Sequence, residues 1–404
     1  MGLLVPDVFM DFGTDKMASS EKPPISSSAA SIKPFLAMEI LEAAQELERR
    51  GVDIVHLEVG EPNFDIPACV RKALEEAIRE GHTHYTHSLG LKELRVEIAS
   101  YYAREYDVQV VPERIIVTTG TSGAMALVMA LLVDPGDEVL VPDPGFACYP
   151  AFVRAFHGSP RPLRLDPASG YQYDAQAVRA ATTASTKALF VNSPSNPTAA
   201  LQKVETLESL AGLGLSLISD EIYHGIVYGP PATSMLQVTD DCFVIDGFSK
   251  RFAMTGLRLG WLVAPECYVA PIQRLQQNLF ICASSVAQHA GLAALRHAKK
   301  DLGDMLEEYR RRRAVLLRGL ADLGLEVKSE PMGAYYVLAD ARHLESDSLR
   351  LAKRILQEAH VGVTPGVDFG AVAEGHLRFS FASSLQHIEE GLRRLQAWLK
   401  KQKR

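Results

Sequence analysis

From Arg114 to Val263 short apolar runs alternate with helical stretches, the pattern of a parallel sheet whose strands are joined by helical crossovers. Strands are expected at 115–118, 138–142, 187–191, 215–219 and 242–246, each a brief apolar run. Their carboxyl ends are polar or glycine-rich. The first run leads into Thr119-Gly120-Thr121-Ser122-Gly123, the third into Asn192-Ser193-Pro194-Ser195-Asn196-Pro197-Thr198, and the fourth into Asp220-Glu221-Ile222-Tyr223-His224. The last leads into Gly247-Phe248-Ser249-Lys250-Arg251. Open α/β sheets bind ligands at this edge, so four loops with chemistry-bearing side chains are expected to meet there.

Each loop has a plain reading beside the functional one. Lys250 with Arg251 can be a solvated turn, although a lysine beside Ser249 with Arg258 eight residues on suits a Schiff base next to a phosphate. Asp220 can cap the following helix. Small residues ahead of an apolar helix at 124–133 suit a phosphate held by free N–H groups, in neither the dinucleotide nor the Walker spacing. Phe146 and Tyr149, in the loop after 138–142, could each be core packing or belong to a site.

Outside this block, structure is expected from Ser31, with Pro34 in the first turn of a helix that Gly51 ends. A short strand at 54–59 enters Gly60-Glu61-Pro62-Asn63-Phe64, where glycine lets backbone approach a ligand. His82, His84 and His87 lie in a polar loop without an acidic or cysteine companion, which favours solvated histidines over a metal site. A long helix at 301–324 links to a C-terminal α/β segment with strands near 333–338, 361–364 and 377–381 and a closing helix from Leu385. Arg378 falls inside an apolar strand, where an unpaired guanidinium is costly; a carboxylate ligand or an internal salt bridge would account for it.

Composition sets the class. The 404 residues are 47% hydrophobic and 23% charged, as in ordinary globular proteins, and suggest two or three domains. The net charge of -7 argues against a nucleic-acid protein. Five dispersed cysteines without Cys-x-x-Cys suggest neither disulfides nor zinc and fit a reducing cytoplasm. No apolar run is long enough for a membrane span. Residues 1–30 carry no secretory or myristoylation pattern and read as a flexible leader, with Met17 a candidate start of the core product.

Taken together, Gly60-Glu61-Pro62, the segment from Tyr85 to Gly90, Thr119 to Ala124, Asn196-Pro197-Thr198, Asp220-Glu221-Ile222-Tyr223, Ser249-Lys250, Leu257-Arg258-Leu259-Gly260-Trp261 and Leu377-Arg378 resemble the fold-type I aminotransferases that use pyridoxal 5′-phosphate. The resemblance spans roughly residues 31–398. It implies an α/β fold: a large domain at 61–300 with a mixed, mostly parallel sheet flanked by helices, and a smaller α/β domain from 31–60 and 301–404. It further implies an amino transfer between an L-amino acid and a 2-oxo acid by a ping-pong cycle, with Lys250 holding the cofactor as an internal aldimine and then serving as base. Asp220 would face the pyridine nitrogen, Tyr223 and Asn196 the ring oxygen, and Phe146 the ring face. Gly120, Thr121, Ser122, Ser249 and Arg258 would hold the phosphate, joined by Tyr85 from a neighbouring subunit, so a homodimer with shared sites is implied. Arg378 would grip the substrate carboxylate, with Gly60 and Asn196 beside it. Phe35, Leu36, Phe64, His84 and Tyr335 are candidates for lining the side-chain pocket.

Two departures stand out. Ala199 and Ala200 follow Asn-Pro-Thr where many relatives have glycine, which leaves the backbone angle there open, and Phe146 stands where Tyr or Trp is common. A lyase on the same fold, such as a carbon-sulfur β-lyase or a cyclopropane-forming synthase, would use the same lysine and carboxylate. A regulatory module would need a DNA-binding segment for which the leader has no room.

Overall fold

The alternating strands build the large sheet of the protein, seen in a computed structural model that describes residues 24–402. The leader up to residue 23, Met17 included, lies outside the described residues, and Ser27–Ala30 forms one helical turn. Among the described residues the strands form three sheets. In chain order they are β1 (Val55–His56), β2 (Ile115–Thr118), β3 (Glu138–Asp143), β4 (Ser159–Arg164), β5 (Thr186–Asn192) and β6 (Ser216–Asp220). They continue as β7 (Cys242–Gly247), β8 (Gly260–Val263), β9 (Tyr336–Asp340), β10 (Val361–Gly362), β11 (Thr364–Pro365) and β12 (His376–Ser380).

The large sheet runs β2-β8-β7-β6-β5-β3-β4, parallel except for β8, which is antiparallel to both neighbours. Its central strands are apolar on both faces because helices cover both. In β7, Cys242 and Val244 enter one core while Phe243 and Ile245 enter the opposite one. Leu217 and Ile218 of β6 divide in the same way, as the two-residue period of a strand requires. Parallel register then sets Asn192 beside Asp220, so two strand tips deliver side chains to one edge.

Two strands of this sheet have no counterpart in the sequence expectation. β4 contains Pro160 and Pro162, which lack the N–H a central strand needs, and it forms the sheet's edge beside β3. β8 begins inside the Leu257-to-Trp261 motif, at Gly260, a glycine that obscures its strand character.

A smaller layer holds β11-β12-β9 and the pair β1-β10, in which Val55 lies opposite Val361. That pairing joins the N-terminal segment to the C-terminal third around a core of its own, which includes Ile40, Leu47, Tyr309, Leu316, Phe379 and Trp398. The long helix, Lys299–Asp322, packs against the closing helix, Leu385–Gln402. The protein is thus α/β, with a mixed, mostly parallel sheet flanked by helices and a smaller α/β unit, as expected.

Candidate active site

Helix Gly120–Leu132 begins four residues earlier than the sequence suggests, which draws Gly120, Thr121 and Ser122 into its first turn. Thr119 at its N-cap makes no side-chain capping bond, so first-turn N–H groups remain for an anion. Gly120 takes φ +67°, and a Cβ there would stand 2.7 Å from Arg258 Nη2. The residue must therefore be small, and a guanidinium lies directly over the helix start. Arg258 Nη1 donates to Thr255 O at 3.0 Å, which fixes the arm.

The strand tips meet in a cavity of about 340 Å³. Thr121, Phe146, Asn196, Asp220, Tyr223, Lys250, Gly60 and Arg378 all line it, so eight of the expected site residues share one space. Gly120 and Arg258 adjoin it through the helix start, and Ser249 is buried next to Lys250. Ser122 is exposed, and Tyr85 is 79% exposed, standing off this cavity.

Lys250 Nζ donates to Gly60 O at 2.8 Å, and Tyr335 Oη donates to the same carbonyl at 2.9 Å. Burial lowers the Lys250 amine to about 8, with Glu61 pulling the other way. Across the cavity, Asp220 Oδ2 accepts from Tyr149 Oη at 2.6 Å and Oδ1 from the Ile222 amide at 3.2 Å. Burial raises Asp220 to about 6 against these bonds, so a cation or a charged N–H donor is the partner such a carboxylate lacks.

Arg378 does not settle into the salt bridge considered from the sequence. Its Nη1 donates to Asn196 Oδ1 at 3.0 Å, and its Nη2 to Glu58 O at 2.5 Å and Thr364 Oγ1 at 3.0 Å, all of them neutral acceptors. Its Nε has no partner, and the guanidinium lies 4.3 Å from the Tyr336 ring centroid and 4.9 Å from that of Phe369. A buried cation with no carboxylate and an idle donor is a receptor for an anion. Glu58 meets His56 through Oε1, at 2.6 Å, while its Oε2 is buried without a hydrogen-bond partner.

Sequence reasoning passed over several residues that complete the site. Tyr149, read from the sequence as possible core packing, stacks on Phe190 at 4.4 Å and also holds Asp220. Tyr336, not Tyr335, lines the cavity and shares a 2.9 Å hydrogen bond with Tyr223, while its hydroxyl occupies the space a Cβ on Gly60 would need. Of the proposed side-chain pocket, Phe35 lines the cavity, whereas Leu36, Phe64 and His84 do not. Phe64 packs against Tyr309 under Arg312 instead. Among the histidines, His87 Nδ1 accepts from the Leu89 amide and His82 stacks on His289. Ala199 keeps φ +55°, the left-handed region that favours glycine, at a cost of about 1–2 kcal/mol.

Arg251 is 2% exposed, which excludes the solvated turn. It donates from Nη2 to Asp246 Oδ2 at 2.9 Å and from Nε to His224 O at 2.9 Å, with its guanidinium over Tyr101. The side chain next to Lys250 thereby ties the β7 tip to the loop that follows Asp220. Arg251→Met would strand the buried Asp246 carboxylate, and the unfolding free energy in urea is expected to fall by about 3–5 kcal/mol. The double variant Arg251→Met/Asp246→Asn should recover part of that loss; a double variant no better than the single one would mean the pair is not what stabilises the turn.

Comparison with known proteins adds an independent line. A family model described as aminotransferase class I and II matches residues 52–395. A (5-formylfuran-3-yl)methyl phosphate transaminase of Methanocaldococcus jannaschii is 36% identical, over 93% of this chain and 100% of its own length. An aspartate/prephenate aminotransferase of Thermus thermophilus is 39% identical, over 92% of this chain and 97% of its own. The solved structure of aspartate aminotransferase from Thermus thermophilus with maleate superposes with a TM-score of 0.88 at 38% identity, covering 92% of this chain and 99% of that one.

Proposed function

Because the chain belongs to the class I and II aminotransferases, which depend on pyridoxal phosphate, we propose that it exchanges amino groups between an L-amino acid and a 2-oxo acid in a ping-pong cycle anchored on Lys250. The observation that carries this reading is the half-buried Lys250 amine just beyond the tip of β7, in one cavity with the Asp220 carboxylate and the Arg378 guanidinium.

When bound, pyridoxal phosphate supplies an electron sink for the pair left behind as the substrate α-carbon loses its proton. The chain's own groups do the rest. The amide groups of the Gly120–Ser122 turn, with Ser249 and Arg258, hold the phosphate. The Asp220 carboxylate, fixed by Tyr149, would face the pyridine nitrogen and favour its protonated form. Asn196 gives its oxygen to Arg378, which leaves its NH₂ to donate to the ring oxygen together with Tyr223. Phe146 packs the ring face. Arg378, whose Nε is the idle donor, would take the substrate carboxylate beside Gly60, and the Lys250 amine would accept the proton that the substrate α-carbon loses.

The same reading divides the chain into a large unit at 61–300 and a small unit at 31–60 with 301–404. It makes the enzyme a homodimer in which the exposed Tyr85 reaches the partner's phosphate. With five dispersed cysteines and no Cys-x-x-Cys, the reading also makes the protein a cytoplasmic one.

The test uses the lowered amine. Only neutral Lys250 can attack the cofactor's aldehyde, and a group titrating at about 8 becomes neutral earlier than an ordinary lysine near 10.4. Stopped-flow uptake of pyridoxal phosphate by cofactor-free enzyme should accelerate about fiftyfold from pH 6 to pH 8 and level off above pH 9. A rate still climbing tenfold per unit at pH 9.5 would contradict the Lys250 amine as anchor.

A further inference from the structure

Resting on the aminotransferase reading, we infer that the side-chain compartment of this site selects donors with an uncharged, apolar side chain, aromatic or long aliphatic, and disfavours dicarboxylic amino acids. The start of helix Leu36–Arg49 carries the argument. Phe35, Ala37, Met38 and Leu41 line the cavity, and the Phe35 ring meets Phe146 edge-on at 6.2 Å. This wall lies next to the Arg378 grip. Asp368 accepts from the Leu36 amide at 3.0 Å and the Ala37 amide at 3.1 Å, and its neighbour Phe369 stacks on the Arg378 guanidinium. A substrate held by its carboxylate at Arg378 thus has apolar side chains within reach of its own.

Among the described residues of one protomer, a second carboxylate finds no receptor there. The cations lining the cavity, among the described residues, are Lys250 and Arg378, and both are engaged by the reaction itself. A helix N-terminus can take an anion in place of a cation, but all four first-turn donors of this one are used. Leu36 and Ala37 donate to Asp368, Met38 to Phe35 O at 2.9 Å, and Glu39 to Phe35 O at 3.3 Å. The Asp368 carboxylate also neutralises the positive end of the helix. Glu61, accepting from Thr255 Oγ1, adds a negative charge to the lining. A buried anion without a partner is excluded more strongly than a poorly fitting apolar group.

The experiment mixes the pyridoxal-phosphate-loaded enzyme with one amino acid at a time and follows the cofactor's absorbance. Phenylalanine, leucine and methionine are expected to exceed aspartate and glutamate in kcat/KM by about thirtyfold or more, within the range an apolar pocket can discriminate. In calorimetry the unreactive 3-phenylpropanoate should bind the loaded enzyme at least about tenfold more tightly than succinate. Met38→Lys, at a position 45% exposed and so tolerant of change, should narrow the aspartate deficit about tenfold. Aspartate turned over as well as phenylalanine, or succinate binding more tightly, overturns this inference and leaves the aminotransferase reading intact. Failure of every amino acid to react overturns both.

Discussion

Lys250→Ala is expected to lower kcat by at least about 10⁴-fold, the largest single loss in the molecule, and to abolish the visible absorbance of lysine-bound cofactor. Two roles disappear together, because the same amine anchors the cofactor and carries the proton. The loss should not come from unfolding. Lys250 is a half-buried amine whose charged form is disfavoured by its surroundings, so replacing it removes a cost of desolvation as well as the bond to Gly60 O. Lys250→Arg keeps a charge but offers no neutral amine near physiological pH, and should be as inactive as the alanine variant. Turnover within tenfold of wild type in either variant would remove Lys250 from the chemistry.

Asp220→Ala comes second, with an expected fall of about 10²–10³-fold in kcat, the size of a preorganised electrostatic contact. Affinity for the cofactor's phosphate should change only a few-fold, because the helix start at Gly120 and Arg258 is built from other strands. Asp220→Asn is the sharper probe, since it keeps the shape and exchanges a carboxylate for an amide. Its stability carries a definite sign. The folded carboxyl is raised from 3.8 to about 6, so the native state binds the extra proton between those values and loses stability as pH rises through them. The Asn variant without cofactor should therefore be more stable than wild type above pH 6, by roughly 1–3 kcal/mol, with the gain fading towards pH 4. An inactive yet more stable protein is the signature of a group retained for function. An Asn variant with full activity would strip Asp220 of its role.

What could be seen in the chain beforehand follows from which interactions are local. Buried strands announce themselves by apolar runs, and their tips by glycine, proline and polar residues, so Lys250, Asp220 and Asn196 were legible as strand-end groups. Arg378 stood out because a guanidinium in an apolar strand needs a reason. The partners of these groups were not legible. Tyr149 reaches Asp220 across 71 residues, Tyr336 reaches Tyr223 across 113, and Asp368 holds Leu36 across 332, separations at which no periodicity operates. Arg251 shows the same limit: a Lys-Arg pair after a strand looks like a solvated turn, and only the packing of Tyr101, Asp246 and the His224 carbonyl shows one of its cations to be internal. Edge strand β4 was hidden by prolines that a central strand would have excluded.

The central claim is an amino transfer rather than an elimination on the same lysine and carboxylate. The most direct measurement adds one equivalent of a reactive amino acid to the loaded enzyme and analyses the quenched mixture. The account predicts one equivalent of the corresponding 2-oxo acid, the nitrogen retained on the enzyme as pyridoxamine phosphate with no free ammonia, and return of the original absorbance when a second 2-oxo acid is added. Release of ammonia with the cofactor unchanged would contradict it.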